Sequence, residues 1–322
     1  MPSPTPAPPP SPGPAASLVD LPVRPLRPGD LAACLRLAVD RGWEHEDRKW
    51  RLLLTAGRGW GVDAPDRPGE LLGAYVLTSY AGGGAAEDPA AGERPPGGGA
   101  FGWLSMVLVA RRCARRGLGR RLVRHALAEA GGSGLLLAAT QAGQPLYEQL
   151  GFTSVARTTV LRGTFTGALP PGPADARVRT ATVADLRAVI ALDAGAFGAD
   201  RTGLLARLPA FADRLVVAEP ADGASAGTLT GFAACWPSPS ATVLGPVVAE
   251  DPHTAQALIT DLATGTTGPV RYDVDSRHAA LERWLRGNGL APADVHSLMT
   301  YALPDVPGDL SRRFAPYAAA LG

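Results

Sequence analysis

The chain has 322 residues, 46% of them hydrophobic, and a formal net charge of +1. That length can bury two cores of ordinary domain size, the near-neutral balance argues against a general polyanion partner such as nucleic acid, and no run of about 18 apolar residues marks a membrane span. Cys34, Cys113 and Cys235 are odd in number and far apart, which fits a reducing cytoplasm better than a disulfide framework.

Residues 1–20 begin with a Pro-, Ser- and Ala-rich stretch that lacks the charged start and apolar core of a signal peptide, and read as a disordered tail. Asp30 is placed to cap a helix over 31–40, a second helix is expected over 46–55, and a strand over 71–79. The Gly- and Pro-rich stretch 81–99 cannot bury a core and reads as a long loop, either inert or a lid.

Residues 101–109 are apolar and rich in β-branched and aromatic types, which predicts a strand; Leu118, Leu122, Val123, Ala126 and Leu127 recur at helical spacing, which predicts a helix over 117–130. Between them lies Ala110-Arg-Arg-Cys-Ala-Arg-Arg-Gly-Leu-Gly119. A glycine-bearing turn that opens a helix presents main-chain N–H groups without partners at the positive end of the helix dipole, so it suits a phosphate or pyrophosphate. A strand-turn-helix whose arginines only solvate one face is the plain alternative. A dinucleotide loop fails, because Leu stands at 122 and no acidic residue follows at 137–140. The seven arginines from Arg111 to Arg124 could touch nucleic acid, but no aromatic residue interleaves with them.

A buried strand over 135–139 leads to Gln144-Pro-Leu-Tyr-Glu-Gln-Leu-Gly-Phe152, expected as a helix over 143–150, and a strand over 153–161 closes this half. Residues 163–176 have linker composition. The second half then repeats the plan: an amphipathic helix over 182–192, strands over 215–218 and 231–236, and, where a second anion loop would stand, Gly245-Pro-Val-Val-Ala-Glu-Asp-Pro252 with two carboxylates that would repel a diphosphate. Nothing in 283–289 matches Tyr147, so the second half is not expected to be a second catalytic centre. No His/Cys/Asp cluster has metal spacing, so no metal is expected.

Ala114-Arg-Arg-Gly-Leu-Gly119 and Tyr147-Glu-Gln-Leu-Gly-Phe152, in this order, resemble the GCN5-related N-acetyltransferase (GNAT) superfamily, whose loop reads Gln/Arg-x-x-Gly-x-Gly/Ala. Gly42-Trp-Glu-His-Glu46 and Ala139-Thr-Gln-Ala-Gly143 further resemble a two-domain bacterial branch of it. The resemblance spans about 23–303 and departs at Ala114, where Gln or Arg is usual, and at Ala138, where an aspartate is expected.

It implies a mixed α/β (α+β) protein of tandem GNAT folds, each a mostly antiparallel twisted sheet flanked by helices. The N-terminal domain would cover 21–162 and carry the acyl-CoA site. A linker at 163–176, a degenerate C-terminal domain over 177–304 and a tail over 305–322 would follow. Acetyl-CoA as co-substrate would lie along Met106, Val107, Leu108 and Val109, with its diphosphate at Ala114, Arg115, Arg116, Gly117, Leu118, Gly119 and Arg120. Tyr147 would protonate the departing thiolate, its alternative being a core aromatic. Glu44, His45 and Glu46, with Asp47, are candidates for the base, against the plain reading of a helix-capping charged face. The implied partner is a small-molecule amine. A carrier-protein- or tRNA-bound donor, or a non-catalytic CoA-binding scaffold, stays open.

Overall fold

The computed structural model describes Leu18 and residues 20–82, 100–167, 176–221 and 228–322. The first half runs β1 (Arg24–Pro25), α1 (Leu31–Asp40), α2 (Asp47–Ala56), β2 (Arg58–Asp63), β3 (Leu71–Gly82), β4 (Phe101–Val109), α3 (Leu118–Glu129), β5 (Gly134–Thr140), α4 (Gln144–Glu148) and β6 (Thr153–Gly163). The second runs β7 (Ala176–Thr180), α5 (Leu186–Phe197), β8 (Ala199–Asp200), α6 (Thr202–Leu205), α7 (Leu208–Phe211), β9 (Arg214–Pro220), β10 (Gly231–Pro237), β11 (Thr242–Ala249), α8 (Pro252–Thr264), β12 (Val270–Asp275), α9 (Ala279–Gly287), β13 (Leu290–Tyr301) and β14 (Arg313–Ala315). Most of the Gly- and Pro-rich stretch 81–99 and of the expected linker, and nearly all of the N-terminal tail, lie outside the described residues.

Both halves join one mixed, mostly antiparallel sheet of order β1-β2-β3-β4-β5-β13-β6-β12-β11-β10-β9-β7. The halves exchange strands at its centre. β13 of the second half inserts between β5 and β6 of the first, from His296 opposite Thr140 to Tyr301 opposite Leu135. β6 in turn pairs with β12, from Gly163 opposite Val270 to Thr158 opposite Asp275. The sheet therefore runs unbroken across the boundary expected at 163–176, because each half lends its closing strand to the other.

Alternate faces of the sheet bury different helices. α1 and α2 share a core with α5, α6 and α7 on one face, while α3 and α4 cover the first half, and α8 and α9 the second, on the other. Residues 305–322 are not a tail. β14 pairs with β11, and Tyr317, Ala318, Ala320 and Leu321 are buried, held by the Tyr80 hydroxyl and Trp103 indole N–H donating to the carbonyls of Leu321 and Ala319. Leu18, expected in the N-terminal tail, likewise packs in the core beside Trp60. Among the described residues no helix is long and apolar enough to cross a membrane.

The internal repeat extends to side chains. Arg24 donates to Asp30 at 2.8 Å and to Asp63 at 2.6 Å; Arg179 donates to Asp185 at 2.8 Å and to Glu219 at 2.5 Å. In each triad the aspartate also accepts a backbone N–H three residues back, from Arg27 or Thr182, and so fixes the turn that opens α1 or α5. The Arg179 guanidinium, aided by Thr182, holds Asp185 well below the usual carboxylate range. A depressed carboxyl contributes stability that is complete above its unfolded pKa and lost as pH falls. Between about pH 6 and about pH 3, the urea midpoint is therefore expected to fall less steeply in Asp185→Asn than in the wild type; parallel slopes would sink this assignment.

Candidate active site

β4 and β5 run parallel for three residue pairs, Phe101–Trp103 beside Gly134–Leu136, and then diverge. Past Trp103, β4 keeps its ladder to β3 only, and that ladder is broken between Ser105 and Leu108, where Met106 and Val107 together oppose Tyr75. Met106 lies at φ 52, a left-handed conformation that costs a residue with a Cβ about 1–2 kcal/mol. This bulge turns the main chain of Met106–Val109 toward the V-shaped gap, leaving peptide groups available to an extended ligand. Met106 and Leu108 are buried and Val107 and Val109 half-buried.

The gap leads to the loop before α3. Arg111 and Arg112 anchor it: the Arg111 N–H donates to Asp40 at 2.7 Å and Arg112 pairs with Asp66 at 2.6 Å. Arg115 at φ 60 and Gly117 at φ 86 then turn the chain into the helix; the second position favours glycine, which bears no Cβ to clash there. Among the described residues the main-chain N–H groups from Arg115 to Arg120 have no acceptor, so they form a cradle for an anion. Ala114, Arg115, Arg116 and Gly117 are exposed, Gly119 is half-buried and Leu118 is core. A Cβ on Gly119 would stand 3.3 Å from Leu146, so glycine also lets α3 and α4 pack closely.

The arginine cluster is less free than its count suggests. Arg120 donates to Gln149 and Arg121 to the carbonyls of Leu18 and Leu21. Arg115, Arg116 and Arg124 are exposed and make no ion pair among the described residues. Cys113 is buried as a small core residue.

Tyr147, on α4, is 9% exposed and packs edge-on to Phe152. Its hydroxyl makes no hydrogen bond among the described residues, and burial pushes the phenol above its ordinary range, so it stays protonated.

Beyond the gap, between the halves, lies a cavity of about 530 Å³ lined by Ser105 and Met106 of β4, Ala138 and Thr140 of β5, and by residues of α1–α2, β6, β12, β13 and 318–320. Of the charged quartet, Glu44 and Glu46 line it. His45 does not: it is exposed outside the cavity, and Asp47 pairs on the surface with Arg51 at 2.6 Å. Glu44 accepts from Ser240 and, at 3.3 Å, from Arg162; burial raises its carboxyl, but Ser240, Arg162 and Arg271 outweigh it and hold it below the usual range. Glu46 pairs with Lys49, the only lysine of the chain. Burial, with Arg271 nearby, pushes the Lys49 amine down to about 7. Two candidate carboxylates are thus already committed to cations.

The second half supplies what the sequence reading missed. Arg271 grips Asp273 through two 2.8 Å bonds on β12. On β13, His296 Nε2 lies 3.2 Å from Asp294 Oδ2, and Asp294 Oδ1 accepts the Val295 N–H at 2.8 Å. All four residues line the cavity, together with Trp236. Arg271, Asp273 and the pair Asp294/His296 follow the two-residue period of a strand face, a signal too short to read without knowing that β12 and β13 lie at the centre of the sheet.

A second V exists and is filled. β11 and β12 are parallel for three pairs, Thr242–Leu244 beside Val270–Tyr272, mirroring β4 and β5. There β14 lies against the open edge of β11, with Ala315 opposite Val247, and the Tyr272 hydroxyl donates to the Phe314 carbonyl at 3.0 Å. At the start of α8 the Asp251 carboxylate accepts the N–H groups of His253 and Thr254 at 2.8 and 3.0 Å. A strand of the chain itself sits where an extended ligand would lie, and a carboxylate takes the place of an anion.

Sequence comparisons agree with this duplicated plan. Residues 29–152 match the model described as acetyltransferase (GNAT) family, and 189–315 that described as acetyltransferase (GNAT) domain. A Bacillus subtilis protein, the uncharacterized N-acetyltransferase YitH, is 26% identical over 275 residues, 84% of this chain and 88% of its own length. A putative acetyltransferase from Pyrococcus horikoshii shares the fold with a TM-score of 0.70 at 16% identity, covering 94% of this chain and 96% of that one. A tandem GNAT protein from the clavulanic acid biosynthesis pathway does so with a TM-score of 0.58 at 15% identity, covering 89% and 100%. With one GNAT model matched in each half and a joint sheet that repeats the same V twice, the chain belongs to the GNAT superfamily as a two-domain enzyme of the acyltransferase class.

Proposed function

We propose that this enzyme transfers an acetyl group from acetyl-CoA to the amine of a small molecule, at one site in its first half. The observation that carries the reading is the asymmetry of the two clefts: the V of β4 and β5 is open and leads to unpartnered N–H groups, whereas that of β11 and β12 is closed by β14 and Asp251. The diphosphate would meet the N–H groups of Arg115–Arg120, with Arg115 and Arg116 as counter-charges. The main chain of Met106–Val109 would hold the pantetheine arm, as the family resemblance implies.

In the reaction the acceptor ammonium first loses a proton, and the free amine nitrogen attacks the thioester carbonyl. A C–N bond forms, the C–S bond breaks, the attacking nitrogen loses its second proton to the medium, and one proton is delivered to the thiolate. Tyr147 supplies that last proton and regains one from the medium. A β4 main-chain N–H polarises the carbonyl. For the first step we assign the His296–Asp294 pair in preference to Glu44 or Glu46: the imidazole is oriented by a carboxylate, while both glutamates neutralise cations. Three free, buried cysteines support a reducing, cytoplasmic setting for the reaction.

Titration calorimetry of acetyl-CoA against the purified chain tests the reading. One equivalent bound per chain is expected. Two equivalents would refute a closed second cleft; none would move the donor to a carrier-protein or tRNA thioester or ester. Binding with no turnover of any amine would favour a CoA-binding scaffold.

A further inference from the structure

The cavity is polar beyond what its own walls satisfy. Glu46 Oε1, Ser105 Oγ, Trp236 Nε1 and His296 Nδ1 are all buried, carry no hydrogen bond among the described residues, and belong to side chains that line this one cavity. Glu46 has a side chain only 10% exposed, Ser105 is 7% and Trp236 3% exposed. Buried polar atoms are rarely left without partners, and each carries a desolvation cost, so their convergence marks the place of a ligand that brings both donors and acceptors. The indole N–H needs an acceptor, the Glu46 oxygen a donor, and the serine hydroxyl serves either.

Charge narrows the ligand further. Three of the cavity's carboxylates each face a cation of the same wall: Glu44 with Arg162, Glu46 with Lys49, and Asp273 with Arg271. Among the described residues Asp294 contacts only the His296 imidazole, and Arg271, which acts on it from farther off, is already held by Asp273. The wall is thus left with one excess negative charge when Lys49 is protonated and two when it is neutral, and with no unmatched guanidinium. A substrate ammonium is attracted there, and a substrate carboxylate meets no free cation. Trp43, 38% exposed at the rim, offers an aromatic face suited to a cation.

We infer that the acceptor is a hydroxyl-bearing primary amine without an acidic group, an amino sugar or amino alcohol by class, its ammonium held by Asp294 and Glu46 and its oxygens paired with Ser105 and Trp236. Amino acids are excluded by the same charge count. This rests on the acyl-transfer reading only for the word acceptor; the ligand class follows from the cavity itself.

The test uses binding, so it does not depend on turnover. The full chain, saturated with CoA, is titrated with two matched pairs: D-glucosamine against D-glucosaminic acid, and serinol against serine, each pair differing by one carboxylate. At least one uncharged-oxygen amine is expected to bind, with its acid at least about tenfold weaker; which pair responds tells sugar from alcohol. Glu46→Gln and Asp294→Asn should each weaken that amine about tenfold. The second variant alters a carboxylate whose side chain is 54% exposed, so it keeps the test valid if the first fails to fold. Equal or tighter binding of the acids, no binding of either amine, or amine affinity unchanged in both variants would overturn the inference. Binding in the expected pattern without acetylated product would overturn the acyl-transfer reading and leave this one standing.

Discussion

Tyr147→Phe is expected to lower kcat with acetyl-CoA by about a hundredfold or more while leaving its KM nearly unchanged. The hydroxyl makes no hydrogen bond within the described protein, and the ring packs on Phe152 with centroids 5.7 Å apart, contacts that phenylalanine preserves. Folding stability should therefore not move. What is lost is the proton for the departing thiolate. Burial raises the phenol above its ordinary range, so the neutral donor form persists as pH rises, and no alkaline decline of kcat from Tyr147 is expected below about pH 9. Steady-state kinetics with melting curves decide it. A kcat within about twofold of wild type would make Tyr147 a core aromatic with no part in catalysis.

The local signals in the chain were legible where chemistry and backbone coincide within a few residues. The anion loop could be read because a β-rich run, a glycine needing φ 86 and a helical repeat lie side by side. The repeat could be read from Asp30 and Asp185, and it extends to Arg24 and Arg179, six residues before each. What stayed hidden is nonlocal. Asp294 and His296 join the site only because β13 leaves its own half and pairs with β5, His296 lying opposite Thr140 and Tyr301 opposite Leu135, a choice set by strand pairing that no local propensity encodes. Residues 305–322 look like a tail for the same reason: alanines and glycine carry little pattern, yet Tyr317 and Leu321 are fully buried. In the quartet 44–47, a run of charge does not reveal which side chain points inward, and Glu44 and Glu46 do while His45 does not.

Asp193→Ala should destabilise the fold by about 3–5 kcal/mol, a change far larger than that of a surface ion pair. Asp193 is fully buried and Arg201 only 3% exposed, and the carboxylate accepts two guanidinium hydrogen bonds at 2.8 and 2.5 Å. Such a pair stabilises little in net terms, because two charges were taken out of water to form it. Losing one partner is different, since the other charge remains buried without compensation. Here a second guanidinium raises that cost. Arg201 lies 3.7 Å over the Phe197 ring and Arg313 lies 5.3 Å from the same ring, where burial and the repulsion of Arg201 already push Arg313 down to about 10. Without Asp193 both cations would remain beside one phenyl ring, with Arg201 stripped of its carboxylate. Arg201 also donates to the Gly322 carbonyl at 2.8 Å, so its displacement should release the segment whose Ala318, Ala319 and Ala320 wall the cavity. The variant is therefore expected to weaken amine binding even at temperatures where it remains folded. Replacing both residues, Asp193→Leu with Arg201→Met, should recover most of the stability, because the buried charge disappears with its partner. Urea unfolding of the three proteins measures this, and a loss below about 1 kcal/mol in Asp193→Ala would show that water reaches Arg201 and that the segment is held by other contacts.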